Sequence, residues 1–165
     1  MTTSWAVLDT NVLLDLLVFR NPGVAGLSQA VQAGRLPWLG CAEMRGELAH
    51  VLRHAPLGGF AVDVEQALTF VDTHMQLALL PAPLPALRLR CSDPQDQMFV
   101  DLALHHGAAW LLTRDRALLK LARKAALRGL RICPPERWVD TAAAPVAPDP
   151  AATPVTTAAT APADA

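Results

Sequence analysis

Five short apolar runs, at residues 5–8, 36–40, 76–80, 109–113 and 130–133, alternate with longer stretches in which apolar residues recur at three- and four-residue steps. That alternation constrains the fold more than any other feature of the chain. Runs of four or five apolar residues suit buried strands, and the stretches between them suit helices. Strands separated by helices pair in parallel, because the helix carries the chain back along the sheet. With right-handed crossovers, the expected fold is α/β, a three-layer α/β/α sandwich with a mostly parallel central sheet. Helices are expected over residues 11–19, 24–33 (closed by Gly34), 42–54 and 62–74. A further helix runs from Asp93-Pro94 to Gly107, and another from Asp115 to about residue 127. Residues 81–85 read as a loop and 135–139 as a short turn.

Composition sets the limits of this reading. The 165 residues, 52% hydrophobic and 18% charged, suit one globular domain with one substantial core. The break comes near Thr141. From there to Ala165 the chain is almost entirely Ala, Pro, Thr, Val and Asp, which cannot bury enough apolar surface to offset its ordering entropy. The expected organisation is therefore a domain over 1–140 and a disordered tail over 141–165. Asp9 and Asp15 interrupt the richest apolar stretch, so no membrane span is expected, and the N-terminus does not read as a signal peptide. A cytoplasmic location follows as the default. Cys41, Cys91 and Cys133 are widely spaced, without a CxxC pair, and read as reduced, buried thiols.

In open parallel sheets, ligands bind at the carboxyl ends of strands, where the strand order reverses. Carboxylates cluster in the sequence at such ends. Asp9 closes the run Trp5-Ala6-Val7-Leu8, and Asp115 follows Leu111-Leu112-Thr113-Arg114. Asp96 lies in the first turn of the helix that feeds the second of these strands. If the two strands are neighbours, three carboxylates meet in one crevice. Their repulsion is relieved by a hard divalent cation, for which carboxylate oxygens are the natural ligands. Each of the three also has a capping reading: Asp9 and Asp115 before their helices, Asp96 as the partner of Asp93. Glu47 lies beside the apolar stripe of the 42–54 helix, with Glu43 as the alternative one turn earlier. Gly46, in mid-helix, either allows close approach of substrate or another element or only weakens the helix.

The net charge of −1 conceals a basic segment: Arg114, Arg116, Lys120, Arg123, Lys124, Arg128, Arg131 and Arg137, opposed only by Asp115 and Glu136. A basic face beside an acidic site suits a polyanion, although such a run also makes an ordinary solvated helix face. His50 and His54 are spaced for a metal but lack a third ligand. His105 and His106 stand at a helix end and take no catalytic role. Trp5, Trp38 and Trp110 fall in strands and read as core.

Four motifs in order resemble the PIN-domain family. Val7-Leu8-Asp9-Thr10-Asn11-Val12-Leu13-Leu14 is similar to its opening motif. Glu47-Leu48 followed by Val51-Leu52-Arg53 resembles the helix carrying its second acid. Cys91 to Phe99, running into Leu102-Ala103, resembles the third motif, most closely in a bacterial branch of toxins from toxin–antitoxin pairs. Leu111 to Arg116, then Leu118-Leu119, resembles the fourth. The resemblance covers roughly residues 5–139. It implies hydrolysis of RNA with Mg²⁺ or Mn²⁺, leaving a 5′-phosphate and a 3′-hydroxyl. It also implies metal binding by Asp9, Asp96 and Asp115, with Glu47 as the fourth catalytic acid and Asn11 and Thr113 as polar supports. An antitoxin protein would be the partner, and the resemblance leaves room for a homodimer. The chain departs from the branch at Gln95 and Gln97, where acids are frequent, and after Arg53, where the usual basic residue is missing. A haloacid-dehalogenase-type phosphatase needs a second Asp two residues after the first, where this chain has Asn11. The remaining rival is a non-catalytic PIN-like module that binds RNA or protein.

Overall fold

The computed structural model describes residues 4–82 and 89–140. The tail expected over 141–165 and part of the expected 81–85 loop lie outside the described residues. Five strands form one sheet: β1 (Ala6–Leu8), β2 (Trp38–Gly40), β3 (Met75–Leu77), β4 (Trp110–Leu112) and β5 (Arg131–Cys133). Their order is β3-β2-β1-β4-β5, and every pairing is parallel. The sequence moves outward from β1 to β3 and then returns to the other side of β1, so the order reverses between β1 and β4.

Helices cover both faces. On one side lie α1 (Thr10–Leu17), α2 (Ala25–Gln32), α3 (Ala42–His54) and α4 (Val64–His74). On the other lie α5 (Gln97–His105), α6 (Arg116–Leu119) and α7 (Ala122–Ala126). The pleat sends alternate strand residues to opposite faces. Ala6, Leu8, Trp38, Trp110 and Leu112 pack with Leu13, Leu48, Leu52, Leu68 and Val71. Val7, Leu39, Leu111 and Ile132 pack with Phe99, Leu102, Leu118 and Ala125 on the reverse. Trp38 and Trp110 are buried as expected, whereas Trp5 is only partly covered. Gly40 has a steric reason. A Cβ there would fall 2.1 Å from Met75 Sδ, so any side chain at position 40 would displace that of Met75.

Several boundaries differ from expectation, each for a local reason. The helix expected from Asp93-Pro94 starts only at Gln97, because Asp93 Oδ1 accepts the Gln95 amide at 2.9 Å and holds the segment in a turn. The helix expected through 115–127 is two. Leu121 N donates to Leu118 O at 2.9 Å, a tightened three-residue step that turns both leucines inward. β3 begins at Met75, directly after α4, instead of spanning 76–80. As an edge strand it leaves Leu77 exposed. The three cysteines are free, but only Cys41 is fully buried.

Candidate active site

The register between β1 and β4 sets up the site. Leu8 pairs with Leu112, so the next residues, Asp9 and Thr113, leave the sheet side by side at its carboxyl end. Asp9 N donates to Leu112 O at 3.0 Å, and Thr113 N to Cys133 O at 3.0 Å. Thr113 is wholly buried and Asp9 nearly so. Thr113 Oγ1 donates to Asp9 Oδ2 at 2.5 Å, and Asn11 Nδ2 donates to the same oxygen at 2.7 Å. Thr113 Oγ1 in turn accepts the Asp115 amide at 2.9 Å, and Asn11 Oδ1 accepts the Arg114 amide at 3.1 Å. Two short side chains thus stitch the end of β1 to the turn after β4.

The capping readings divide. Asp9 precedes α1 but makes no side-chain cap bond, so its carboxylate is committed elsewhere. Asp96 precedes α5 and likewise makes none. Asp115 does cap α6: its Oδ1 accepts Ala117 N at 2.6 Å and Leu118 N at 3.4 Å, and the cap employs this oxygen alone.

Electrostatics tie the acids together. Asp96 is pushed up to about 7, first by burial, then by the charges of Asp9, Asp115 and Asp93, and by its hydrogen bond with Asp115. Burial also raises Asp9, against hydrogen bonds from Thr113, the Thr10 amide and Asn11, while Asp115 adds to the rise. Glu47 is raised by burial and then by Asp9 and Asp93, with the Thr10 hydroxyl opposing. Its Oε2 is buried and has no hydrogen-bond partner. Glu43, the alternative, is exposed on the rim of α3. Thr10 and Asp93 therefore belong to the crevice. Sequence reading had passed over Thr10 and had treated Asp93 only as a cap.

Beside the crevice, Arg114 spans α1 and the last turn. Its Nε donates to Asp15 Oδ2 at 2.6 Å, and its Nη2 meets Glu136 Oε1. Arg114 is thus engaged in ion pairs and is not free to grip phosphate. Gln97 bonds Leu89 O at 2.7 Å, the Cys91 amide at 2.8 Å and Asp101 at 2.9 Å. It pins residues 89–91 against α5, a structural task for the position where an acid is frequent in the resembled branch. A Cβ at Gly46 would meet nothing within 4 Å, so no element approaches it closely. His50 and His54 stack on the exposed side of α3, with centroids 4.5 Å apart. A groove of about 850 Å³ opens elsewhere, among Phe19, Val24 and Phe70. Its two acids, Asp15 and Asp63, are already bonded to Arg114 and to the Gln66 amide, so the acidic crevice is the better candidate for chemistry.

A family model for the PIN domain matches residues 6–117, from β1 into α6, and spans all four acids. The chain belongs to the PIN-domain family. No curated protein matches it. PIN domains are in general metal-dependent nucleases, and the parallel sheet with helices on both faces agrees with that fold. Among the described residues, no helix is long and apolar enough to cross a membrane.

The donor set of this PIN domain suits a hard cation. It offers carboxylate oxygens, one of them buried and unpartnered, on groups whose mutual charge opposes ionisation. As placed, no three His, Cys, Asp or Glu side chains among the described residues converge closely enough to hold an ion. Asp9 Oδ2 turns toward Thr113 and Asn11, and Asp115 Oδ1 toward the start of α6. Convergence on an ion therefore requires side-chain rotation.

Proposed function

We propose that this PIN domain is an Mg²⁺- or Mn²⁺-dependent endoribonuclease acting at the crevice between β1 and β4. The observation that carries the reading is the buried, unpartnered Oε2 of Glu47 among acids raised by burial and then by one another's charge. Natural proteins rarely leave a buried carboxylate oxygen without a partner, because its desolvation is then uncompensated. Asp9, Asp96 and Asp115 would hold the cation, with Glu47 as the fourth acid. When bound, the cation supplies charge neutralisation at phosphorus and promotes ionisation of water. The water oxygen bonds to phosphorus as the bond to the 3′-oxygen breaks, which leaves a 5′-phosphate and a 3′-hydroxyl. Glu47 accepts the water's proton, a task suited to a carboxyl whose affinity for protons is raised. Thr113 and Asn11 aim Asp9, as outer partners of a ligating carboxylate do.

The test is cleavage of a mixed RNA pool by the purified chain with Mg²⁺ or Mn²⁺, with ends mapped by sequencing. Asp9→Asn should abolish cutting while leaving the fold intact. Full activity of that variant removes the assignment. The non-catalytic alternative draws on the lack of a ready-made three-ligand group among the described residues. Under it, the wild-type chain binds RNA and never cuts it.

The biological setting we propose is the toxin of a toxin–antitoxin pair in the cytoplasm, on the strength of the motif from Cys91 to Phe99. Its antitoxin should co-purify when the native operon is expressed. Isolation of the chain with no small protein bound speaks against that setting and leaves the nuclease reading untouched.

A further inference from the structure

The face of α6 and α7 turned away from the sheet is unlike the rest of the surface. Arg116, Lys120, Arg123, Lys124 and Arg128 are all exposed, and among the described residues none of them meets a carboxylate. Elsewhere Arg35, Arg45, Arg53 and Arg114 each do, whereas Arg20, Arg90, Arg131 and Arg137 stand without such a pair among the described residues but are not gathered on one acid-free segment. No acidic residue occurs from Arg116 to Arg131. The cations recur at roughly helical steps while Leu118, Leu121 and Ala125 point inward, so the segment has a basic outer side and an apolar inner one. Like charges at such steps oppose helix formation, and here no acid offsets them. The segment starts at Asp115, whose carboxylate caps α6, so the ridge leaves directly from the acidic crevice. Most of it lies beyond the family match, which ends at residue 117.

We propose that Arg116, Lys120, Arg123, Lys124 and Arg128 form a ridge that binds the phosphate backbone of a single RNA strand leading into the crevice, without reading its bases. This rests on the nuclease reading for the direction of the strand, but not for the binding itself. Charge complementarity selects the occupant. Five unpaired cations in a chain of net charge −1 suit a polyanion with regularly spaced charges. Indifference to sequence follows from the side chains. The ridge carries no aromatic residue on which a base could stack, because none occurs from Arg116 to Arg131.

The test measures binding of fluorescein-labelled oligo(U) and oligo(A) by anisotropy, with the full chain in EDTA and over a range of monovalent salt. EDTA separates binding from cleavage. A variant carrying Lys120→Gln, Arg123→Gln, Lys124→Gln and Arg128→Gln is compared with the wild type and with a control carrying Arg45→Gln and Arg53→Gln. Because each phosphate contact on a single strand contributes about 0.7 to the slope of log K against log salt, the ridge variant should lose between 2 and 3 of that slope, roughly. Its affinity should fall at least about tenfold for both oligonucleotides, while the control stays near wild type. An unchanged slope overturns the proposal, as does a loss confined to one oligonucleotide, or tighter binding of polyglutamate than of RNA, which would point to a protein partner. Circular dichroism checks the fold of the variant. If the variant unfolds, Lys120→Gln alone should still lower the slope by about 0.7. Salt-dependent binding through the ridge without cleavage in Mg²⁺ or Mn²⁺ would retain the ridge and remove the nuclease.

Discussion

Two groups of carboxylates lie side by side in this molecule and live under opposite rules. Asp15 and Glu136 share the guanidinium of Arg114. Against the upward push of burial, Arg114 holds Glu136 below the usual range through its hydrogen bond and charge. Asp9, Glu47 and Asp96 have no cationic side chain paired with them among the described residues, and all three are raised. Burial is the largest cause of that rise, but a second difference separates the two groups. It is one of partners: the first group finds its counter-ion in the chain and so builds structure. The second lacks one, and its repulsion is the free energy a divalent ion can recover.

Four perturbations break or sharpen that contrast. The largest effect is expected from Asp9→Asn. RNA cleavage should fall by more than the ~100-fold typical of losing an outer partner, while thermal stability holds or rises. A cleavage assay beside a melting curve checks both. Arg114→Ala attacks the other group and leaves Asp15 buried without its cation. Because Arg114 is about one-third exposed, the expected cost is discounted to about 2 kcal/mol, a fall in Tm of roughly 4–8 °C. A Tm within 1 °C or so of wild type, measured against that scale, would show that the clamp contributes little.

Glu47→Gln should act with the opposite sign. Without divalent ions it neutralises a half-buried carboxylate whose Oε2 has no partner, and stability should rise by about 1 kcal/mol even as cleavage is lost. A destabilised variant would mean that Oε2 has a partner. The smallest effect is on pH dependence. Asp96 has a folded value of about 7 against an ordinary 3.8, so the folded chain binds the extra proton between these values. Stability in EDTA should therefore fall as pH rises through that window. Asp9 and Glu47 act in the same sense, whereas the contribution of Glu136 is lost only as pH drops below its ordinary 4.5. Melting curves from pH 4 to 8 on wild type and Asp96→Asn check the sign, with the variant expected to show the flatter profile.

Much of this arrangement was legible in the sequence, and what was missed has a common cause. Asp9 and Asp115 stand out because each closes an apolar run, and local pattern records strand ends well. The reversal of strand order between β1 and β4 then does the rest. Arg114, by contrast, counted in sequence as one cation in a basic run. Its partners lie 99 and 22 residues away, a distance at which no local pattern operates. The choice between Glu43 and Glu47 was equally closed, since residues one turn apart share a helix face and differ only in what packs over them. Asp93-Pro94 looked like a helix start because that pair suits one, yet the Asx turn at Asp93 moved the start to Gln97 and left Asp96 free of any cap. No other element approaches Gly46 closely, so that one reading of its place in α3 falls away.

The most direct test of the central claim is anomalous diffraction from crystals soaked in Mn²⁺. A peak bounded by the carboxylates of Asp9, Asp96 and Asp115 is expected, and it should be absent from crystals of Asp9→Asn. No peak in that crevice at saturating Mn²⁺, or one held by other residues, would contradict it.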